Sequence, residues 1–150
     1  MNSLALARGR FVLAQLRALQ QWRRADQEAF IGAVRELPAL VRTNGLGQTL
    51  AYLKGKDDAG ARAMYRTLTE WLCGVPDADR LECILRDGDP FEVVVNLKDL
   101  PHARATYMAA TESVWRLCEW LKPLAVSYLP SGGRAQPSPG DGSEASDEPA

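Results

Sequence analysis

The chain has 150 residues, 46% of them hydrophobic and 25% charged, with a formal net charge of -1, enough apolar residues to build the core of one soluble domain. No run approaches the 18 or so uncharged apolar residues of a membrane span, and Met1 to Arg10 has neither a signal-peptide h-region nor a small-residue cleavage site, so a cytoplasmic protein with no membrane contact is expected. The small net charge hides a segregation: residues 1–66 carry 11 basic and 5 acidic residues (+6), residues 67–130 carry 6 and 10 (-4), and residues 131–150 carry 1 and 4 (-3). A basic half and an acidic half suit a polyanionic partner and head-to-tail stacking of copies, although helical surfaces are charged in any case.

Leu4 to Trp22 reads as a first helix, with Phe11, Val12, Leu16, Leu19 and Trp22 as its apolar side and no Asp or Glu. Arg10, Arg17 and Arg24 recur every seven residues; a helix drifts only about 20° per heptad, so they predict one stripe about 21 Å long. Such a stripe can follow a phosphate backbone or can be an ordinary solvated face, and Arg8 and Arg23 lie off it. Asp26 is positioned to cap a second helix from about Gln27 to Arg42, with Glu28 in its first turn and either a kink at Pro38 or a division into two shorter helices expected.

Leu37 to Lys56, LPALVRTNGLGQTLAYLKGK, is the most informative stretch. Leu37, Leu40 and Val41 form one apolar face, and Leu46, Leu50 and Leu53 form another beyond Asn44-Gly45-Leu46-Gly47. Asn44 and Gly45 tolerate a left-handed backbone and Gly47 allows a close backbone approach, so a tight corner between helices is predicted, with Asn44, Gly45 and Gly47 as fold residues. Arg42, Lys54 and Lys56 lie near it with no acidic residue between Glu36 and Asp57, which predicts a positive patch.

After a polar loop from Gly55 to Gly60, Ala61, Met64, Tyr65, Leu68, Trp71 and Leu72 keep helical spacing up to Gly74. Asp77 or Asp79 is expected to cap a shorter helix with Leu81, Ile84 and Leu85, broken at Gly88. Pro90 favours a helix start while three consecutive valines, Val93 to Val95, favour a strand; a lone strand has no partner in this chain, so a helical or irregular connection is expected. A long final helix from about Pro101 to Leu129 carries Tyr107, Thr111, Val114, Leu117, Cys118, Leu121, Leu124, Ala125 and Tyr128 as its apolar side and is expected to be the bundle's central post. Trp115 and Trp120 fall on different sides of it, so one of them is either a subunit contact or the rim of the chain's own core. Residues 131–150, SGGRAQPSPGDGSEASDEPA, have no apolar period and read as a disordered acidic tail beside a helical domain of residues 1–130; it either shields the basic face or serves solubility alone.

The segment LPALVRTNGLGQTLAYLKGK, followed by YRTLTEWL (Tyr65 to Leu72) and by Tyr107, Thr111, Glu112, Trp120, Leu121, Lys122 and Ala125 in a YxxxTExxxxxxxWLKxxA pattern, resembles the small helical subunit of the type III-B CRISPR effector, the Cmr complex. The resemblance covers most of residues 1–128; it departs at Arg80 to His102, and at Pro123, where the family usually has a second basic residue. It implies a non-catalytic structural subunit that stacks in a short filament of copies beside other Cmr subunits and binds target RNA along the guide RNA duplex in antiviral defence.

No catalytic constellation is recognisable. His102 stands alone at a helix start, Gly45-Leu46-Gly47 lacks the third glycine and strand of a dinucleotide fingerprint, and no GxxxxGK[ST] occurs. Cys73, Cys83 and Cys118 are odd in number and form no CxxC, so buried thiols are expected and neither a metal nor a cofactor. The expectation is therefore an all-α compact bundle of five or six helices, with Arg10, Arg17, Arg24, Arg42, Lys54 and Lys56 on RNA, Trp115 and Trp120 at a subunit interface, and no enzyme activity. The alternative is a helical adaptor that binds only protein, through an exposed Trp115 or Trp120 face.

Overall fold

The computed structural model describes residues 3–74, 84–98 and 100–129. These form five helices and no strand: α1 (Ser3–Leu19), α2 (Arg24–Gly55), α3 (Ala59–Cys73), α4 (Pro90–Val95) and α5 (Leu100–Tyr128). The all-α bundle with a long last helix is the fold expected from the periodicity. The segment 131–150 and most of the helix expected after Asp77 lie outside the described residues; Ile84 and Leu85, which were expected to end that helix, have irregular backbone.

α1 ends three residues earlier than its apolar pattern suggests. Its last-turn carbonyls need partners, and the buried Gln27 supplies them: Nε2 donates to the carbonyls of Leu19, Gln20 and Trp22 at 3.1, 3.2 and 3.2 Å. This clasp lets the chain leave α1 at Leu19 with no glycine or proline to stop it. α2 then begins at Arg24, not at Gln27. Its N-cap is Arg23, which makes no side-chain cap bond, so Asp26 is a first-turn residue favourable to the macrodipole and not the expected cap.

α2 spans Arg24–Gly55 as two helical segments joined at one residue. Gly45, at φ 83° and ψ 164°, is its only interior residue outside helical space, a region almost reserved for glycine. Packing proves that the chain folds back there. A straight helix would put Gly55 about 39 Å from Ala29, and the five residues on to Gly60 can return at most about 18 Å. Gly60 nevertheless lies so close to Ala29 that a Cβ on it would meet the Ala29 carbonyl. The kink expected at Pro38 is absent: Pro38 stays in helical geometry, and the bend is at Gly45.

Asp58 caps α3 by accepting the Ala61 amide at 2.9 Å, and the loop before it shortens to residues 56–58. The piece rich in valine is the short helix α4, started by Asp89, which accepts the Glu92 amide at 3.1 Å, and by Pro90. Helix wins there because Val93 and Val94 are buried against the bundle while Val95 is exposed.

α5 packs on α1, α2 and α3, and α2 packs on α3, α4 and α5, so the post role expected of α5 is shared with α2. The buried side of α5 is Ala110, Val114, Leu117, Leu121 and Ala125, with Leu129 buried just beyond its end; Tyr128, assigned to that side from spacing, is exposed. α1 runs parallel to α5, with Gly9 against Trp120 and Gln20 Nε2 donating to the Tyr128 carbonyl at 2.9 Å. The first segment of α2 runs antiparallel to α5, from the turn beside Tyr128 to Arg42 over Trp115, and the corner reaches Tyr107 through Gly47. Phe30, Leu16, Leu37, Leu46, Leu50, Met64, Leu68 and Leu117 fill the centre.

Candidate functional site

Two features of the surface carry the functional question: the corner at Gly45 and the cations around it and along α1. At the corner the first amides of the returning helix have lost their intrahelical partners. Tyr107 of α5 answers one of them, its hydroxyl oxygen accepting the Gly47 amide at 2.9 Å. Thr49 Oγ1 donates back to the Gly45 carbonyl at 2.8 Å. Gly47 was expected to admit a close backbone; its neighbours are instead the side chains of Tyr107 and Val94, both at 3.7 Å from where a Cβ would stand. The close backbone approach of this fold is at Gly60. Asn44 is exposed at the outer edge of the turn.

The six cations separate into distinct environments. Arg10 and Arg17 are exposed on α1, a helix with no carboxylate. Arg24, expected to continue their helix, is the first residue of α2, beyond the turn held by Gln27, so the single straight stripe of three does not form. Arg24 is exposed at the same end of the bundle as Arg17, because only the turn separates the two helices. Arg42 is exposed with its guanidinium carbon 5.4 Å above the centre of the Trp115 ring.

Lys54 sits between two carboxylates of α4 and its cap. Its ammonium lies 3.0 Å from Asp89 Oδ2 and 3.6 Å from Glu92 Oε2, and 5.8 Å from the Phe91 ring centre. The hydrogen bond to Asp89, with both carboxylates, raises its pKa. The sequence hid this because the partners are 35 residues away; the absence of acid between Glu36 and Asp57 says nothing of α4. Asp89 also accepts from Tyr65 Oη at 2.6 Å. Burial alone would raise the Asp89 pKa, but the bonds from Tyr65 and Lys54 outweigh it and hold it low, while burial and the bond to Asp89 push the Tyr65 phenol well above its ordinary value. Lys56 lies 5.3 Å from the Tyr52 ring centre, and its interaction with that phenol raises its pKa.

Sequence reading did not find a further cation at the α1–α2 turn. Arg66 of α3 stacks 5.5 Å from the Trp22 ring centre, which brings α3 to the end of the bundle occupied by Arg17, Arg23 and Arg24. Arg66 also lines an apolar groove of about 370 Å³ with Leu53, Lys54, Arg62, Tyr65 and Thr69. A heptad count along one helix has no means of joining α3 to α1. Arg8 is partly buried; burial and the nearby Arg116 lower its pKa, and its Nε finds no hydrogen-bond partner among the described residues.

Trp120 seats its ring on Gly9 of α1, where a Cβ would approach to 2.9 Å, and Trp115 lies beneath Arg42. Both are half-buried against the core. His102 is exposed, 3.5 Å from Thr106 Oγ1. Among the described residues no group of three or more His, Cys, Asp or Glu side chains is placed to hold a metal ion, and no helix is long and apolar enough to cross a membrane. Cys73 is buried and Cys118 half-buried, neither in a disulfide; Cys83 lies outside the described residues.

Among the described residues this arrangement presents exposed cations beside aromatic faces, which suits binding. A family model described as CRISPR-associated protein (Cas_Cmr5) matches residues 4–128, which is nearly the whole described bundle. No curated protein matches the chain.

Proposed function

Because the chain belongs to the Cas_Cmr5 family of CRISPR-associated proteins and is a Cmr subunit, we propose that it is a non-catalytic spacer of a type III-B effector that holds target RNA by its phosphates. The observation that carries this reading is α1: three arginines, no carboxylate, and Arg10 and Arg17 exposed, continued past the turn by exposed Arg24. A guanidinium suits a phosphate oxygen by geometry as well as charge, and contacts of this kind carry no sequence information. Base pairing between guide and target would supply the specificity.

Arg42 and Lys56 extend the same proposal to the corner, and Lys54 is left out of it because its charge is held by Asp89 and Glu92. Residues 1–130 act as the working domain in the cytoplasm, stacking head to tail with further copies through the basic first and acidic second halves. Trp120 is engaged with Gly9, so of the two tryptophans Trp115 is the one available to a neighbouring copy. The reading as a protein-only adaptor draws on Val95 and Met108, 55% and 62% exposed beside the Val94 and Tyr107 side chains that cover Gly47.

Ultraviolet crosslinking of the assembled effector on a target RNA separates the two. RNA adducts on peptides containing Arg10, Arg17 or Arg24 are expected. Protein adducts alone, with Val95 and Met108 protected, would replace the RNA reading by the adaptor.

A further inference from the structure

One end of the bundle gathers cations from three helices. Arg17 lies in the last turn of α1, Arg23 and Arg24 open α2, and Arg66 comes from α3 onto Trp22. Among the described residues Asp26 contacts this group, 3.4 Å from Arg23 Nε. The same end is where the described chain stops: Gln20, in the turn itself, donates to the carbonyl of Tyr128, and Leu129 is buried. The described chain therefore ends beside its own basic pole. The residues that follow include Asp141, Glu144, Asp147 and Glu148 against the single Arg134.

We propose that residues 131–150 dock on the basic pole formed by Arg17, Arg23, Arg24 and Arg66, occupying it as an intramolecular polyanion that RNA must displace. The occupant follows from reach and charge. A segment of twenty residues rich in glycine and serine has a root-mean-square span of about 25 Å, and its attachment point is already in contact with the turn. Asp141 is 12 residues beyond Leu129 and Glu148 is 19, so all four carboxylates can come within a Debye length of the pole, where their attraction is only partly screened. Tethering makes the contact effective although each exposed pair is weak. Covalent linkage gives an effective concentration in the millimolar range, so a contact that would dissociate at about 0.1–1 mM in two pieces lowers the pole's apparent affinity for a competitor about two- to tenfold. The device would discriminate against loosely held polyanions, which engage few phosphates, and yield to a target strand held along several copies.

The competition half rests on the RNA reading above, whereas the docking half does not, and the experiment separates them. Amide and indole NMR spectra of the full chain are compared with those of a variant carrying Asp141→Asn, Glu144→Gln, Asp147→Asn and Glu148→Gln. Neutralisation is expected to shift the signals of residues 17–24 and the Trp22 indole, to leave those of the corner around Gly45 in place, and to lose its effect in 1 M NaCl. The synthetic peptide 131–150 added to the neutralised variant should move the same signals back. Unchanged signals at residues 17–24 in both measurements would overturn docking. The variant is expected to bind single-stranded RNA two- to tenfold more tightly than the natural chain at low salt; equal affinities would overturn the competition. If the pole signals move while neither protein binds RNA, alone or assembled, docking stands and the RNA reading falls.

Discussion

The hydroxyl of Tyr107 accepts the amide proton of Gly47 at 2.9 Å, joining two parts of the chain 60 residues apart. It caps the helix that starts at the corner, and no local side chain takes its place. Tyr107→Phe leaves the ring packed but the amide without its acceptor, and is expected to cost about 1–3 kcal/mol. Gly45→Ala is expected to cost about 1–3 kcal/mol through its positive φ, with added crowding because the new Cβ would be 3.1 Å from that same hydroxyl. The two changes share the hydroxyl, so the double variant should be less destabilised than the two single losses added together. Gly47→Ala, with only ordinary contacts, should melt within a degree or two of the natural protein. Thermal melts of the four variants check this, and equal losses at Gly45 and Gly47 would refute the corner geometry.

Gly60→Ala should be among the most damaging single substitutions in the chain. Its Cβ would meet backbone atoms of Ala29 and Phe30, which have no rotamer to change, so α3 has to separate from α2 and disturb the packing of Phe30 and Met64. Gly32→Ala is the control, because nothing lies within 4 Å of its Cβ position. There the same substitution removes backbone freedom from the unfolded chain and should stabilise by about 0.5–1 kcal/mol. Opposite signs in urea denaturation are expected; a neutral Gly60→Ala would mean that the helices do not cross as described.

Lys54, Tyr65 and Asp89 make stability depend on pH at both extremes. The depressed Asp89 pKa contributes stability that is full above the unfolded value near about 4 and is lost as pH falls through the folded value. The raised pKa of Lys54 contributes below the unfolded value near about 10.4 and is lost as pH rises through the folded one. Tyr65 acts in the same direction as Lys54, since its folded form keeps the proton longer. Asp89→Asn should therefore lower Tm at neutral pH and flatten its fall below pH 4. Melts between pH 2.5 and 11 show it; an acid limb unchanged by Asp89→Asn would assign that limb elsewhere.

Burial pushes the Cys118 thiol up to about 12, and Cys73 is enclosed by the core. Thiolates are the reactive form, so neither residue should alkylate with iodoacetamide at pH 8 in the folded protein, while both should in urea. Peptide mapping by mass spectrometry reads each cysteine separately. Rapid native labelling of Cys118 would show that α5 opens from α2.

The corner was legible because its chemistry is local: Asn44-Gly45 between two leucine faces states both that a helix stops and how. The buried side of α5 was legible for a similar reason, and erred at Tyr128, which is exposed although Ala125 and Leu129 beside it are buried. Other features depend on residues far apart. The end of α1 depends on the reach of Gln27, which leaves no breaker in the sequence, and so Arg24 was placed on the wrong helix. Lys54 looked free because Asp89 is 35 residues away, and Gly60 looked like a loop glycine because Ala29 is met only after the chain folds back. For the cations, charge content was readable and pairing was not, since an exposed charge and a paired one have the same letter.

This difference among the cations gives the decisive prediction for RNA. Binding that neutralises phosphates of a single strand changes log affinity with log salt by about -0.7 per phosphate. Arg17→Glu with Arg24→Glu removes two such contacts, so the slope for the assembled effector on target RNA should become shallower by about 1.4, with weaker binding at low salt. Lys54→Met is the matched control: it also removes a positive charge, but one already held 3.0 Å from Asp89. It should lower Tm while the slope stays as it was, because no phosphate was being neutralised there. A slope that responds to Lys54→Met as strongly as to the arginine pair would show that general charge, and not the exposed residues at the end of α1 and the start of α2, governs the contact. A slope indifferent to all three would return Arg17 and Arg24 to the status of solvated surface.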